Sequence, residues 1–426
     1  MIRVANRAVL VAGLGALTFA APPAQTQSAD QRTVQRQLDE LRQLIEQQQK
    51  TIGELQNRVQ ELQGTQEETV TQVEEQGEEV RKNVVEKPLI VSTNSKIKLT
   101  LGGQVNRLMN VAGDGKNTKV YFVDNNYSVS RLLFTGRGQV TDDFSVGTNI
   151  ELGLSPNNSN EVSQFNEDSG DKFEQRKVEA LFNSNQYGQV LFGKGDPATK
   201  DITRLDLSET DALAYAATGD VAGGLFFLTK DGDDSSGVQV KQVFTDFDSG
   251  RENRIRYDTP AFYGVSAAAS YSADQKWGGA LRWAGTGHGI EAVAGLGLHN
   301  PNNEGDSNIY SGSASALHEA TGLSLTYSTA YNDKDEGTGE LQYIKAGWQH
   351  QFFDIGATAF SIDFGFNKDA PNNDDDGKTV GLVALQHIKQ YGTELFVGMR
   401  GYDLDQGDGP NTSTIYVGTF GTRIKF

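Results

Sequence analysis

From Val91 onward the sequence runs in short segments that alternate apolar and polar side chains, and this pattern restricts the fold more than any other feature. Successive side chains of a strand point to opposite faces. Each segment therefore offers one face fit for an apolar surround and one fit for water. The segments lie near 96–110, 128–140, 144–154, 173–184, 187–194, 251–259, 262–272, 276–286, 288–299, 308–317, 321–331, 340–351, 355–367, 378–388, 391–402 and 412–426. They number about sixteen, and single-chain bacterial membrane barrels need an even count. No segment past the N-terminus approaches the run of about 20 apolar residues that a membrane helix needs, whereas barrel strands need only about 9 to 11.

The connections support a barrel. Short links such as Thr141–Asp143, Asn185–Gln186, Gly285–Gly287 and Lys389–Gln390 alternate with longer polar ones, including Ala112–Tyr127, Ser155–Lys172, Asn300–Ser307, Asn332–Gly339, Lys368–Gly377 and Asp403–Asn411. Short turns at one rim and long loops at the other are the habit of outer-membrane barrels. The expected fold is all-β and transmembrane, a 16-stranded antiparallel outer-membrane β-barrel spanning 96–426. A hairpin from Leu225–Lys230 and Val238–Phe244 would raise the count to eighteen.

Ahead of the barrel the period changes. Residues 1–21 read as a secretory signal: Arg3 and Arg7, an apolar run from Ala8 to Leu17, then small residues at Ala20 and Ala21. From Val34 a heptad repeat takes over, with Leu38, Ile45, Ile52 and Val59 at a and Leu41, Leu55 and Leu62 at d. Seven heptads of this spacing predict an α-helical coiled coil over 30–86, a periplasmic stalk followed by a linker at 87–95. Gln48, Gln66, Thr69 and Gln76 dilute the seam and leave the number of strands open.

The chain carries a formal charge of -18, 48 Gly and no Cys. An acidic chain lacks the Lys/Arg surplus that binds phosphates, which argues against nucleic acid. Without Cys there are no disulfides, thiolate zinc sites or cysteine nucleophiles. Gly188–Lys194 matches Gly-x-x-x-x-Gly-Lys, yet Gly195 stands where Ser or Thr should follow, and Asn372–Gly377 is half a calcium loop lacking its Glu. No enzymatic constellation or cofactor site is expected.

The last strand places Tyr416, Phe420, Ile424 and Phe426 on one face and Arg423 and Lys425 on the other. It resembles the closing strand of Gram-negative outer-membrane barrels, which implies recognition by the insertion machinery. The run Arg251–Val265, with Asn253, Tyr257, Pro260, Phe262 and Gly264, resembles the block that Gram-negative porins carry just after the loop folded into the pore. The resemblance covers about 97–426 and implies that the stretch near 195–250 folds inward. The stalk is similar to that of the trimeric, dicarboxylate-associated DcaP-type channels, which implies a homotrimer.

Parity assigns the wall. Leu132, Phe134, Ile255, Trp283, Trp348 and Phe360 fall on the lipid side. The opposite face carries Lys98, Arg131, Arg137, Lys177, Arg254, Arg256, Arg282, Lys345 and Arg400, with Glu151 and Glu179 among fewer acids. The inner loop supplies Asp206, Glu209 and Asp211. Rings of Arg and Lys favour anions. The expectation is a passive diffusion channel for small hydrophilic solutes, preferring anions and carboxylates, set among outer-membrane lipid and lipopolysaccharide. The alternative is a structural tether that holds the outer membrane to peptidoglycan through the coiled coil.

Overall fold

The computed structural model describes residues 89–92, 96–230, 235–273, 275–302, 306–334 and 338–426. The signal and the coiled coil lie outside the described residues. The strands are β1 (Leu89–Ser92), β2 (Ile97–Gly113), β3 (Thr118–Asp124), β4 (Arg131–Gln139), β5 (Phe144–Leu154), β6 (Phe173–Ser184), β7 (Gly188–Gly195), β8 (Phe226–Leu228), β9 (Ser235–Gln239) and β10 (Glu252–Asp258). They continue as β11 (Val265–Ser272), β12 (Trp277–Gly287), β13 (Ile290–Asn300), β14 (Asp306–His318), β15 (Leu323–Lys334), β16 (Thr338–Phe353), β17 (Gly356–Lys368), β18 (Asp375–Ile388), β19 (Thr393–Gln406) and β20 (Ile415–Lys425).

Among the described residues the wall is a closed antiparallel barrel of sixteen positions. Eighteen strand segments build it, but β3 and β4 share one position and β1 continues the position of β20. Closure falls on β2. One edge of β2 takes β20 along Gln104–Gly113 and β1 along Lys98–Leu101, while the other takes β3 along Arg107–Gly113 and β4 along Ile97–Gln104. Gly103 exchanges both backbone hydrogen bonds with Phe426, at 2.8 and 3.0 Å. The stretch 87–95, read from the sequence as a linker, thus contains a strand of the wall.

Two further differences have local causes. Ala112–Tyr127 is not an open loop, since a tight turn after Gly113 folds β3 back on β2. Asn332 and Gly339 already face each other across the β15–β16 pair, so that link is also shorter than the sequence implies. The eighteen-strand alternative fails because β8 and β9 form a separate two-stranded sheet, which meets the segment before β20 through an isolated bridge between Thr229 and Thr412 and does not join the wall's ladder. The chain then turns into a short helix α1 (Val240–Val243), capped reciprocally by Gln239 and Gln242, where a second wall strand would have to run.

The outer surface is apolar, with Ile255, Leu281, Ile344, Ile362, Leu382 and Val397 all exposed. Aromatic belts mark both rims, as outer-membrane barrels require at the two lipid–water boundaries. Tyr271, Trp277, Tyr310, Tyr331 and Tyr416 stand at one, and Tyr187, Phe262, Tyr263, Phe353, Tyr391 and Phe426 at the other.

The short-turn rim depends on glycine at Gly322, which has φ +71 and would place a Cβ 1.9 Å from the Gln349 carbonyl oxygen. A side chain there meets both a left-handed backbone and a neighbouring strand. Gly322→Val is expected to destabilise the barrel by roughly 2 kcal/mol or more. Gly287→Val, where a Cβ meets nothing within 4 Å, should leave the thermal midpoint in detergent, read by circular dichroism, nearly unchanged.

Candidate functional site

β7 and β10 are neighbours in the wall, and the loop between them, 196–251, folds into the lumen along its described residues, 196–230 and 235–251. Wall side chains fasten it along its length. Arg254 Nε donates to the Asp196 carbonyl at 2.9 Å, Arg256 to Pro197 at 3.0 Å, and Arg282 to Ala198 and Lys200 at 2.8 and 2.9 Å. Ile202 and Leu205 lie over Gly295 of β13, where a Cβ would stand only 2.8 Å from Leu205 Cδ1. Lys345 Nζ donates to Asp206 and to the Ala214 carbonyl, both at 2.7 Å, and is 1% exposed. Further along, Asn125 holds Ala212, Tyr402 holds Thr218, Asn110 holds Val221 and Asn367 holds Thr245, each donating to a backbone carbonyl at 2.7–2.8 Å.

Apolar packing completes the attachment. Leu213, Leu225, Phe227, Val240, Val243 and Phe244 of the loop form one core with Leu385, Phe396, Tyr402, Leu404, Ile415 and Val417 of the wall. These wall residues face inward without facing water. Parity assigns their direction correctly, but the loop covers them. Each buried Leu or Phe contributes roughly 1.5–3 kcal/mol, so the loop is an integral part of the folded barrel.

The loop narrows the lumen to a polar cavity of about 500 Å³ lined by Asn126, Tyr127, Ser128, Arg131, Glu174, Arg176, Lys200, Asp201, Arg204, Asp211, Tyr215, Asp220 and Arg251. One side is wall. Arg131 and Arg176 share Glu151 at 3.8 and 2.5 Å, Lys177 and Arg251 share Asp196, and Glu174 stands 3.9 Å from Arg176. Four cations meet three carboxylates.

The other side is loop. Lys200 pairs with Asp248 and Arg204 with Asp246 at 2.7 Å, while Asp201 is 3.6 Å from Arg204. Burial opposes the Asp246 charge, but Arg204 beside it prevails and holds the carboxyl below its usual range. Arg204 also lies 4.5 Å over the Tyr215 ring. Asp220 accepts from Tyr215 Oη, Asn126 and Asn160 at 2.7–2.9 Å, all neutral donors. The excess on this side is therefore negative.

Arg176 reaches the cavity through a β-bulge. Glu151 faces Lys177 and Leu152 faces Gln175, so Arg176 is the extra residue in β6. Bulges re-aim side chains, and strict alternation would have sent Arg176 to the lipid face. Of the other residues named from the sequence, Arg131 and Asp211 line the cavity, and Lys177 stands behind it on Asp196. Glu151 and Glu179 are buried, the latter 2.6 Å from Arg254. Arg400 forms a buried two-pronged pair with Asp363 at 2.6 and 2.8 Å, and Lys345 is buried on Asp206. Lys98 and Arg137 face each other in register nearer the short-turn rim, Arg137 donating to Asn149 at 2.7 Å. Glu209 meets His387 at 3.3 Å. Arg251, Lys200, Arg204 and Asp220 also line the cavity, beyond the residues that the sequence assigns to the pore. Their signal was available in part, since Lys200 and Arg204 sit just inside the loop.

A closed barrel with an apolar exterior, aromatic rims and a charged constriction made by an inward loop is a membrane diffusion pore. Residues 90–413 match the sequence profile described as Gram-negative porin, and the chain belongs to that family. It is an outer-membrane channel. Its fold is similar to that of the anion-selective porin from Comamonas acidovorans, with a TM-score of 0.53 and 14% identity over 78% of this chain and 100% of that one. It is likewise similar to OmpT of Vibrio cholerae, with a TM-score of 0.52 and 12% identity over 79% and 99%. Identities this low carry the fold alone. No curated protein matches the chain in sequence.

Lys345→Met removes the cation beneath Asp206 and leaves a buried carboxylate without its partner, a change that costs about 3–5 kcal/mol in other proteins. The loop is expected to loosen. Single-channel recordings should show frequent sub-conductance transitions, and the thermal midpoint should fall.

Proposed function

We propose that this porin is a passive diffusion channel for small hydrophilic solutes that prefers anions, carboxylates among them. The observation that carries this reading is the charge division across the cavity, where Arg131, Arg176, Lys177 and the loop-end Arg251 outnumber Glu151, Glu174 and the loop-end Asp196 on the wall side. The loop opposite holds the negative excess. Opposed charges across a narrow water path orient dipolar solutes and disfavour apolar ones, and a cationic wall lowers the barrier for anions. The similar fold of an anion-selective porin agrees with this.

The functional unit is a homotrimer embedded in lipid and lipopolysaccharide, inserted by the outer-membrane assembly machinery, with the 30–86 stalk in the periplasm. Arg107 supports an oligomer. It lies on the outward face of β2, donating to the Pro156 carbonyl at 2.8 Å and standing 3.9 Å from the buried Asp124. An arginine facing lipid at mid-depth costs about 2–4 kcal/mol, which a covering subunit relieves. The tether reading rests on the stalk alone, and no observation on the barrel favours it.

Reversal potentials in planar bilayers under a KCl gradient test the preference. The native channel should pass chloride over potassium, and a cation preference would overturn the reading. Arg131→Gln with Arg176→Gln should lower the anion-to-cation ratio severalfold. Arg137→Gln, away from the cavity, should change it little.

A further inference from the structure

We propose that His387 is a proton-operated latch that fixes the lower lip of the inward loop to the barrel wall. His387 is an inward-facing residue near the end of β18. Its Nε2 lies 3.3 Å from Glu209 Oε2 of the loop, and its Nδ1 lies 3.9 Å from Glu394 Oε1 of β19. The Nε2 atom is buried and makes no hydrogen bond. An imidazole thus sits between two carboxylates on different elements, with a nitrogen turned towards each.

The number of protons on the ring decides what it can join. A neutral imidazole has one N–H, so it can donate to Glu209 or to Glu394 while its lone pair faces the other. The imidazolium has two N–H groups and can donate to both. Protonation therefore converts a one-sided contact into a bridge from the loop to β19.

The surrounding groups make this contact the variable one. On the loop, Asp206 is held by Lys345 at 2.7 Å and Asp211 by Arg423 at 3.2 Å. On β20, Arg423 also pairs with Glu394, and Lys425 reaches Glu394 at 2.7 Å. From β16, Gln349 donates to the Leu207 carbonyl at 3.4 Å and carries no charge. Lys, Arg and carboxylate pairs keep their charges between about pH 5 and pH 8, whereas histidine changes in that range. Of the ties along 206–211, only the one at Glu209 can switch.

Glu209 is suited to be released. Its backbone is left-handed, at φ +58, a conformation that costs a non-glycine residue about 1 kcal/mol or more. Its side chain is 43% exposed. When the latch opens, the lip can relax and Glu209 can turn into the water path. In acid the lip is fixed; towards alkaline pH it is free to fluctuate. The device concerns loop motion and is independent of which ions the channel prefers.

Single-channel recordings in symmetric KCl at about pH 8 and about pH 5.5 test it. Open-channel flicker in the native protein should fall severalfold on acidification. His387→Gln and Glu209→Gln should each remove that response while leaving the reversal potential of a KCl gradient on the anion side. A native-like pH response in His387→Gln would overturn the latch. The chain has no Cys, so the double variant Glu209→Cys, His387→Cys can be joined by a short bifunctional thiol reagent without background. The joined channel should be quiet at both pH values; flicker at pH 8 after joining would also overturn it. Reversal potentials on the same membranes separate this outcome from a failure of the ion preference.

Discussion

Hydrocarbon offers no partner to a backbone N–H or C=O, and each one left unpaired there costs several kcal/mol. The architecture of the wall follows from this requirement. A sheet in such a medium must close, and closure concentrates on β2, both of whose edges are filled by two successive segments. Where β20 ends, β1 continues. Where β3 breaks off, β4 resumes after a 3-10 turn at Asn126–Ser128 in which Asn125 accepts from the Tyr127 N–H. Interruptions are tolerated because each edge is taken up again by another strand.

Closure creates a second difficulty, a lumen too wide to discriminate between solutes, and the loop 196–251 answers it. Fastening that loop uses much of the wall's charge. Arg254, Arg256, Arg282 and Lys345 bond to its backbone or its acids, while Arg400 is held in a buried pair with Asp363. Buried pairs are sensitive to loss of either partner, because the survivor is left without compensation. The cations that line the water path are a different set, Arg131 and Arg176 on the wall with Lys200, Arg204 and Arg251 on the loop. Charge in this barrel therefore serves position as much as selection.

This division explains what could be read from the sequence. Alternation in β10–β20 was legible because lipid and lumen impose opposite demands on neighbouring residues, and Ile255, Trp283, Ile344 and Phe360 lie outside as expected. The depth of Lys345 and the apolar lining at Leu385 and Phe396 were not legible, since both depend on a loop whose path has no period. β3 was hidden because its short run, Thr118–Asp124, lies between a tight turn and the break before β4. Beyond their place just inside the loop, Lys200 and Arg204 carry no sequence signal of their own as lining residues, because which loop side chains meet water is set by contacts with the wall and by pairing to Asp248 and Asp246.

The bulge in β6 carries a consequence for mutational tolerance. Above Arg176 the strand is out of phase with its lower half, so that Glu174 faces Gly153 on the lumen side and Gln175 faces Leu152 on the lipid side. Deleting Arg176 would restore a regular strand without exchanging its faces, since Gln175 already faces Leu152 and Glu174 already faces Gly153. The upper part would keep Phe173 towards lipid and Glu174 towards water, and the cavity would lose a cation. The extra residue therefore serves the water path, and the wall would close without it.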